Sequence, residues 1–351
     1  MKTKRLSFFE TYLTLFVLLC MLLGVIIGIY IPIIPDFLNR LTIANVNLPI
    51  GFLIWLMIYP MMLKIDFTSI KNVGKKPKGL YLTWFINWVV KPFTMFAIAW
   101  LFFRVIFGAI IPTQLQDQYL AGAVLLGAAP CTAMVFVWSS LTKGNPAYTL
   151  LQVATNDLII LVLYVPIVGV LLKIGGFNIP WDTLFLSVVL FVVIPLLMAS
   201  LTRKIYIKQK GLNHFNQHFI PKFSGLTISG LLLTLILIFS LQSDLIIQNP
   251  FHIVLIAIPL ILQTFLIFFL AYGGAKWLKL PHDVAAPAGM IGASNFFELA
   301  VAVAFAVFPD QPGVWLATIV GVLVEVPVMI ILVKIANKTK NHFSEGEIDH
   351  A

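Results

Sequence analysis

The sequence predicts an all-α integral membrane protein in which ten transmembrane helices form two inverted five-helix repeats. Three observations lead to this fold class. Of the 351 residues, 60% are hydrophobic and 11% are charged, and the mean hydropathy is +1.00, which is more apolar surface than a soluble domain can bury. Ten apolar stretches are long enough to cross a bilayer. The fourth and the ninth stretch are interrupted by similar short motifs.

The spans are placed on apolar runs of about 17–25 residues, the length that crosses a bilayer. The predicted spans are 12–31, 48–63, 80–103, 119–142, 150–172, 183–202, 225–241, 251–275, 284–308 and 313–333. Residues 1–173 are expected to form the first repeat. The sixth helix and a cytoplasmic loop (174–224) open the second repeat, 225–340 complete it, and 341–351 are expected to be a disordered tail.

The distribution of basic residues predicts the orientation. With the N-terminus inside, 19 of the 23 lysines and arginines fall in cytoplasmic segments, three fall in outside loops, and Lys91 lies within a span. This bias follows the positive-inside rule and indicates that both termini are cytoplasmic. The net charge of +9 is therefore attributed to basic loops that set the orientation of the protein in the bilayer, and no nucleic-acid partner is expected.

The fourth span carries a proline at its centre. Gly127 and Pro130 lie in the middle of the apolar stretch, and Cys131 follows directly. Proline removes a backbone donor and clashes with the preceding turn, so the helix is expected to break there. Freed backbone groups are tolerated at membrane depth only inside protein or beside a wet cavity, which makes the break a candidate substrate site.

A similar motif recurs in the ninth span. Leu125–Pro130 (LLGAAP) aligns with Met290–Asn295 (MIGASN) at an offset of 165 residues, which places a second break near Gly292. Each motif is in the fourth span of a five-helix half. Because five is odd, the second half enters the bilayer inverted, and paired interrupted helices of this kind are typical of secondary transporters.

Four ionisable residues lie inside predicted spans, where a charge is costly and usually functional: Lys91, Asp157, Glu298 and Glu325. For Lys91 and Asp157, an internal ion pair that fixes helix packing is an equally good interpretation. Glu298 follows the second break closely, which favours a role at the site. Asp157 and Glu325 are interpreted either as a second carboxylate relay or as packing residues.

Cys131 is the candidate ligand, although a cysteine in an apolar helix often behaves as a small hydrophobe. Three polar side chains beside the breaks, Thr132, Ser294 and Asn295, are expected to add hydrogen bonds. The sequence contains no GxxxxGK, HExxH or GxSxG motif, so an ATP-driven pump and the common hydrolases are not indicated. Neither a cofactor nor a resident metal is expected, and the protein is not expected to be an enzyme.

Long segments of the chain resemble the arsenical-resistance efflux permeases, the arsenite exporters of the bile/arsenite/riboflavin transporter superfamily. The resemblance is sharpest in Gly127–Asp157 (GAAPCTAMVFVWSSLTKGNPAYTLLQVATND), Gly292–Ala302 (GASNFFELAVA) and Gly321–Met329 (GVLVEVPVM). It implies crossed, broken fourth and ninth helices. It also implies export of arsenite, and sometimes antimonite, across the plasma (inner) membrane in exchange for protons. The essential cysteine and glutamate of the family correspond to Cys131 and Glu298.

The chemistry of the substrate agrees with that implication. Trivalent arsenic is thiophilic, and a single sulfur with oxygen groups is expected to bind it weakly enough for turnover. Arsenite is a neutral triol near pH 7, whose hydroxyls need acceptors such as Glu298 and Asn295. A proton and the substrate are expected to compete at Glu298. Lys91 either fixes helix packing in an internal ion pair or replaces a coupling cation by pairing with a site carboxylate, and the sequence does not choose between these roles.

Three other functions remain open at this stage. A sodium-coupled organic-anion symporter of the same superfamily would use the same crossing but gives Cys131 no role. An intramembrane hydrolase would use the buried carboxylates as general acid and base, but the sequence has no paired-aspartate GxGD motif. A passive channel is the third, and uphill transport would exclude it.

Overall fold

The computed structural model describes residues 8–43, 46–65, 77–131, 134–177, 180–241, 243–248 and 250–343. Nearly all of them are helical. The exception is a hairpin of two-residue strands, β1 (Thr42–Ile43) and β2 (Val46–Asn47), which pair antiparallel with Thr42 opposite Asn47. The expected all-α fold class is therefore confirmed, and the two short strands are a local feature at which β-branched residues favour strand geometry.

Sixteen α-helices occur in the described residues. They are α1 (Phe8–Tyr30), α2 (Ile33–Arg40), α3 (Leu48–Met62), α4 (Pro77–Phe85), α5 (Lys91–Trp100), α6 (Thr113–Gly127), α7 (Val135–Leu141), α8 (Pro146–Ile174), α9 (Trp181–Val188), α10 (Ile194–His214), α11 (Ser224–Leu241), α12 (Ser243–Gln248), α13 (His252–Trp277), α14 (His282–Ala293), α15 (Phe297–Val307) and α16 (Pro312–Lys338). The predicted tail 341–351 lies mostly outside the described residues.

Five helical segments are long and apolar enough to cross a membrane: Lys78–Ile106, Pro146–Ile174, Trp181–Phe223, His252–Trp277 and Pro312–Lys338. Shorter apolar helices of 10–17 residues lie at Leu18–Tyr30, Leu48–Met62, Leu232–Leu241 and Phe297–Val307. The chain is thus a multi-pass membrane protein. The count of ten spans, the inversion of the two halves and the repeat boundaries stay predictions.

Two of the long segments contain a π-helical stretch directly before a proline. Residues Ile86–Val90 precede Pro92, and Val189–Val193 precede Pro195. Proline has no N–H to donate to the preceding turn, and a π-bulge lets the helix continue in a shifted register. The shift near Pro92 lies immediately before Lys91, the first residue of α5.

The helices pack as two groups that meet at α15. In the first group, α11 contacts α1 and α3, and α3 contacts α10. Helices α5, α6, α13, α14 and α16 form a second set of neighbours, and α1 also contacts α16. Helix α15 contacts α3 and α9 on one side and α6 and α16 on the other. Residues that α15 carries in its first turn therefore lie where the two groups meet.

Candidate functional site

Both predicted interruptions are present as gaps between helices. Helix α6 ends at Gly127 and α7 begins at Val135, while α14 ends at Ala293 and α15 begins at Phe297. Near the first gap, Pro130 lacks a donor and disfavours helical geometry in the residue before it. At the second gap, the Ser294 backbone is extended, with φ −79° and ψ 146°.

The two interruptions meet and pair through their backbones. Pro130 and Asn295, the positions aligned by the 165-residue offset, form an isolated antiparallel bridge. The Cys131 amide donates to the Ser294 carbonyl at 3.2 Å, and the Phe296 amide donates to the Ala129 carbonyl at 3.1 Å. These bonds satisfy backbone groups that the breaks release inside the apolar interior.

Gly292 does not make the second break. It lies inside α14, where an added Cβ would be 3.1 Å from the Cγ2 atom of Ile267 on α13. Its small size permits close packing of α14 on α13, and the helix ends only at the following residue. The break predicted near Gly292 is thus present, and its extended backbone begins two residues later, at Ser294.

Lys91 reaches the crossing from α5. Its side chain is 1% exposed, and its Nζ donates to the Ser294 carbonyl at 2.6 Å. The Gln263 amide of α13 donates to the Lys91 carbonyl at 3.0 Å and holds this turn in place. Among the described residues, the sole ion pair within 4.0 Å is Arg104–Asp117. Lys91 thus bonds directly to a carbonyl that the break has freed, and it interacts with the Glu325 carboxyl electrostatically, without a contact within 4.0 Å.

Glu325 completes the polar contacts of the second break. It lies on α16, is 6% exposed, and its Oε1 accepts a hydrogen bond from the Ser294 hydroxyl. The Lys91 ammonium interacts electrostatically with this carboxyl. Ser294 thus connects Lys91, through its carbonyl, with Glu325, through its hydroxyl.

Cys131 lies in the same cluster and is 2% exposed. Its sulfur is close enough to Lys91 to interact with it electrostatically. Both cysteines are free thiols, and Cys20 is held separately, in α1. Thr132 lies outside the described residues, so its expected contact with the substrate stays a prediction.

Glu298 occupies the first turn of α15 and is 3% exposed. Its carboxyl group is close enough to Glu325 for the two side chains to interact electrostatically. Its Oε2 and the side-chain oxygen of Asn295 are buried without a hydrogen-bond partner among the described residues. Buried polar atoms are normally paired, so two unused acceptors beside the crossing are suited to a ligand that brings hydroxyl groups.

Asp157 is not joined to this cluster. It is fully buried in α8, and neither carboxyl oxygen has a hydrogen-bond partner within the described part of the chain. The preceding residue, Asn156, accepts from the Trp88 indole at 3.0 Å. The structure thus groups Lys91, Cys131, Ser294, Asn295, Glu298 and Glu325, and leaves Asp157 apart.

Two side chains near Glu298 had no signal in the sequence. Met57 on α3 and Thr234 on α11 line a small cavity together with Glu298. Each lies in an ordinary apolar run, so no motif or charge distinguishes it. Among the described residues, no three His, Cys, Asp or Glu side chains are grouped as a metal site.

Comparison with known proteins gives a consistent family assignment. Residues 51–249 match the model of the "Sodium Bile acid symporter family". The chain is 60% identical over 342 residues to "Arsenical-resistance protein Acr3" of Alkaliphilus metalliredigens, covering 97% of this chain and 96% of that protein.

Two more distant relatives match almost as much of the chain. An "Uncharacterized transporter" of Synechocystis sp. is 43% identical, covering 95% of this chain and 90% of that protein. "Arsenical-resistance protein Acr3" of Corynebacterium glutamicum is 31% identical with the same coverage. The sodium bile acid symporter model matches more than half of the chain, and these relatives match nearly all of it. The chain therefore belongs to the arsenical-resistance permease family.

Proposed function

We propose that the protein is a secondary active transporter that exports arsenite from the cytoplasm in exchange for protons, with antimonite as a second substrate. In this proposal it lies in the plasma (inner) membrane with both termini cytoplasmic, as the 19 basic residues of the cytoplasmic segments favour. The cell thereby gains resistance to arsenic. Two relatives with arsenical-resistance names support this choice of substrate.

The observation that carries the proposal is the backbone pairing of the two helix breaks. It brings a thiol, an ammonium and two carboxyl groups to one buried place: Cys131, Lys91, Glu298 and Glu325. Charged and polar groups at membrane depth are costly, and they usually mark a transport path. A crossing that unites sulfur with oxygen acceptors suits a thiophilic solute that also carries hydroxyl groups.

Cys131 would supply the sulfur contact. Its thiol replaces one hydroxyl of the arsenite, so that an arsenic–sulfur bond forms, an arsenic–oxygen bond breaks, and the thiol proton leaves with the hydroxyl as water. Addition of water reverses the step and releases the substrate. The two remaining hydroxyls would donate to the unused oxygens of Glu298 and Asn295. One sulfur attachment keeps binding weak enough for release, because a site with several thiolates would retain arsenic.

Glu298 is the proposed coupling residue. A carboxyl group in a buried site is neutral when protonated, and in that form one of its oxygens becomes a donor instead of an acceptor. A proton bound at Glu298 therefore competes with a substrate hydroxyl that needs an acceptor. Glu325 and Lys91 would orient the Ser294–Asn295 backbone around this exchange. Asp157 stays a prediction, either as a second relay carboxylate or as a packing residue.

Arsenite accumulation in everted membrane vesicles tests the substrate, the direction and the coupling together. With an imposed pH gradient, acid inside, we expect uphill accumulation of arsenite that collapses when the gradient is dissipated. Glu298→Gln is expected to abolish the gradient dependence, whereas the exposed Asp310→Asn in the α15–α16 loop retains it.

Three results would count against the proposal. Equal arsenite levels on both sides of the membrane would indicate a passive channel. Accumulation that requires sodium and ignores pH would favour the sodium-coupled organic-anion symporter mechanism. Unchanged gradient dependence in Glu298→Gln would remove Glu298 from coupling while leaving arsenite as the substrate.

A further inference from the structure

Helices α3 and α11 lie opposite Glu298, although nothing in their sequence indicates a role at the site. A small cavity of about 10 Å³ lies between α3 and α11 on one side and α15 and α16 on the other. This volume holds about one water molecule. Three of its lining residues carry heteroatom side chains, Met57, Thr234 and Glu298, and the others are aliphatic or aromatic.

The unpaired carboxyl oxygen of Glu298 is the feature that points to a ligand in this cavity. Its carboxyl group is 3% exposed, and its Oε2 has no hydrogen-bond partner among the described residues. A buried carboxyl oxygen without a partner is unfavourable in an apolar setting, so a bound group that donates a hydrogen bond to it would be favoured. The side chains opposite Glu298 decide which ligand fits.

Those opposite side chains present a sulfur and a hydroxyl oxygen. The Thr234 hydroxyl donates to the Gly230 carbonyl at 2.7 Å, and its oxygen lies 3.5 Å from the Met57 sulfur. A hydroxyl has a single proton, and the shorter contact to Gly230 takes it. The lone pairs of the Met57 sulfur and of the Thr234 oxygen therefore remain available to a ligand in the cavity.

We propose that Met57 and Thr234 form the far wall of the metalloid site, with the Met57 thioether as a second soft contact to arsenic and the Thr234 oxygen as an acceptor for one of its hydroxyls. This inference rests on the proposed function, since it specifies how that same substrate is held. A thioether matches a soft metalloid centre. Because it has no proton to lose, it forms no covalent bond to arsenic and does not slow release.

The position of the cavity gives this contact a role in the transport cycle. Met57 and Thr234 belong to one group of helices, and Glu298 belongs to the helix where the two groups meet. The present cavity is too small for a triol with four heavy atoms, so α3 and α11 must separate from α15 and α16 before the substrate enters. Met57 and Thr234 therefore contact the substrate only in a conformation in which this cavity is wider than it is here.

Met57→Leu with Met62→Leu as its control tests the sulfur contact. Both methionines are 1% exposed on α3, but Met62 does not line the cavity, and Met to Leu conserves volume. In everted vesicles, Met57→Leu is expected to raise the KM for arsenite about fivefold, the factor for one lost ligand contact. The kcat per transporter stays unchanged, and Met62→Leu has the wild-type KM.

Thr234→Val and Thr234→Ser provide an independent second test. The valine variant removes the oxygen and is expected to raise the KM for arsenite, whereas the serine variant retains the oxygen and the wild-type KM. If wild-type vesicles transport arsenite but the KM is unchanged in both Met57→Leu and Thr234→Val, this inference is overturned and the proposed function is not. A loss of kcat without a change in KM would also overturn it, because that result indicates a packing role. Wild-type vesicles that fail to transport arsenite would refute the proposed function itself.

Discussion

Gly122 controls how closely α6, which leads to the first break, approaches α16, which carries Glu325. A Cβ added at Gly122 would lie 2.4 Å from the Val314 carbonyl oxygen and 2.6 Å from the Ala317 Cβ. Both atoms are parts of a rigid helix, so Gly122→Ala must push α6 and α16 apart. Overpacking of this kind costs about 1–3 kcal/mol, while alanine returns up to about 1 kcal/mol of helix propensity. With the full helix-propensity gain subtracted, the net expectation is a loss of about 0–2 kcal/mol in the free energy of unfolding, centred near 1 kcal/mol.

The measurement is thermal unfolding of the purified protein in detergent, together with arsenite uptake by everted vesicles. Gly122→Ala is expected to lower the Tm by a few degrees. It should also reduce uptake per transporter, because displacement of α16 weakens the bond between Ser294 and Glu325. The matched control is Gly273→Ala on α13, where an added Cβ meets no atom within 4 Å. Equal Tm values for the two variants would refute the close helix approach.

Three further predictions concern the crossing itself. Cys131→Ser is expected to abolish arsenite uptake and arsenic resistance, because oxygen does not replace sulfur as a soft ligand. The control variant Cys20→Ser on α1 should retain both. Arsenic resistance in cells with a stably expressed Cys131→Ser protein would contradict this prediction. Lys91→Met removes a charged hydrogen bond to the Ser294 carbonyl, which is worth about 1.5–3 kcal/mol. It should therefore reduce arsenite uptake at least tenfold. Lys173→Met, at an exposed position, should leave uptake unchanged in the same assay. Ser294→Ala loses only the hydroxyl bond to Glu325 and should reduce uptake by less than Lys91→Met does; the reverse order would indicate that the ammonium contact is not needed.

The first helix break is easier to predict from the sequence than the second. Pro130 indicates an interrupted helix by itself, because a proline in mid-span leaves the preceding turn without its donor. The second break has no proline, and only its likeness to the first motif suggested it. The structure shifts it from Gly292 to Ser294, since a glycine next to α13 serves close packing as well as it serves a chain reversal.

The contacts of Lys91 show a different limit of sequence reasoning. Its position within an apolar span indicates a functional or packing role, but the pattern does not say which group it meets. In the structure its hydrogen bond goes to a backbone carbonyl, which no side-chain pattern can reveal, while Glu325 and Cys131 interact with it electrostatically. Met57 and Thr234 are a comparable case, because their relevance comes from the helix that lies opposite them.

The sequence by itself determined that the chain is a multi-pass helical membrane protein, because its composition and the lengths of its apolar runs depend on local residue chemistry alone. It also identified most of the residues at the crossing, since a thiol, a proline or a charge in an apolar span is conspicuous wherever it occurs. Only the tertiary structure decided which of these residues meet. Cys131 and Ser294 are separated by more than 160 positions, and their contact depends on two helices ending at the same depth and exchanging backbone hydrogen bonds.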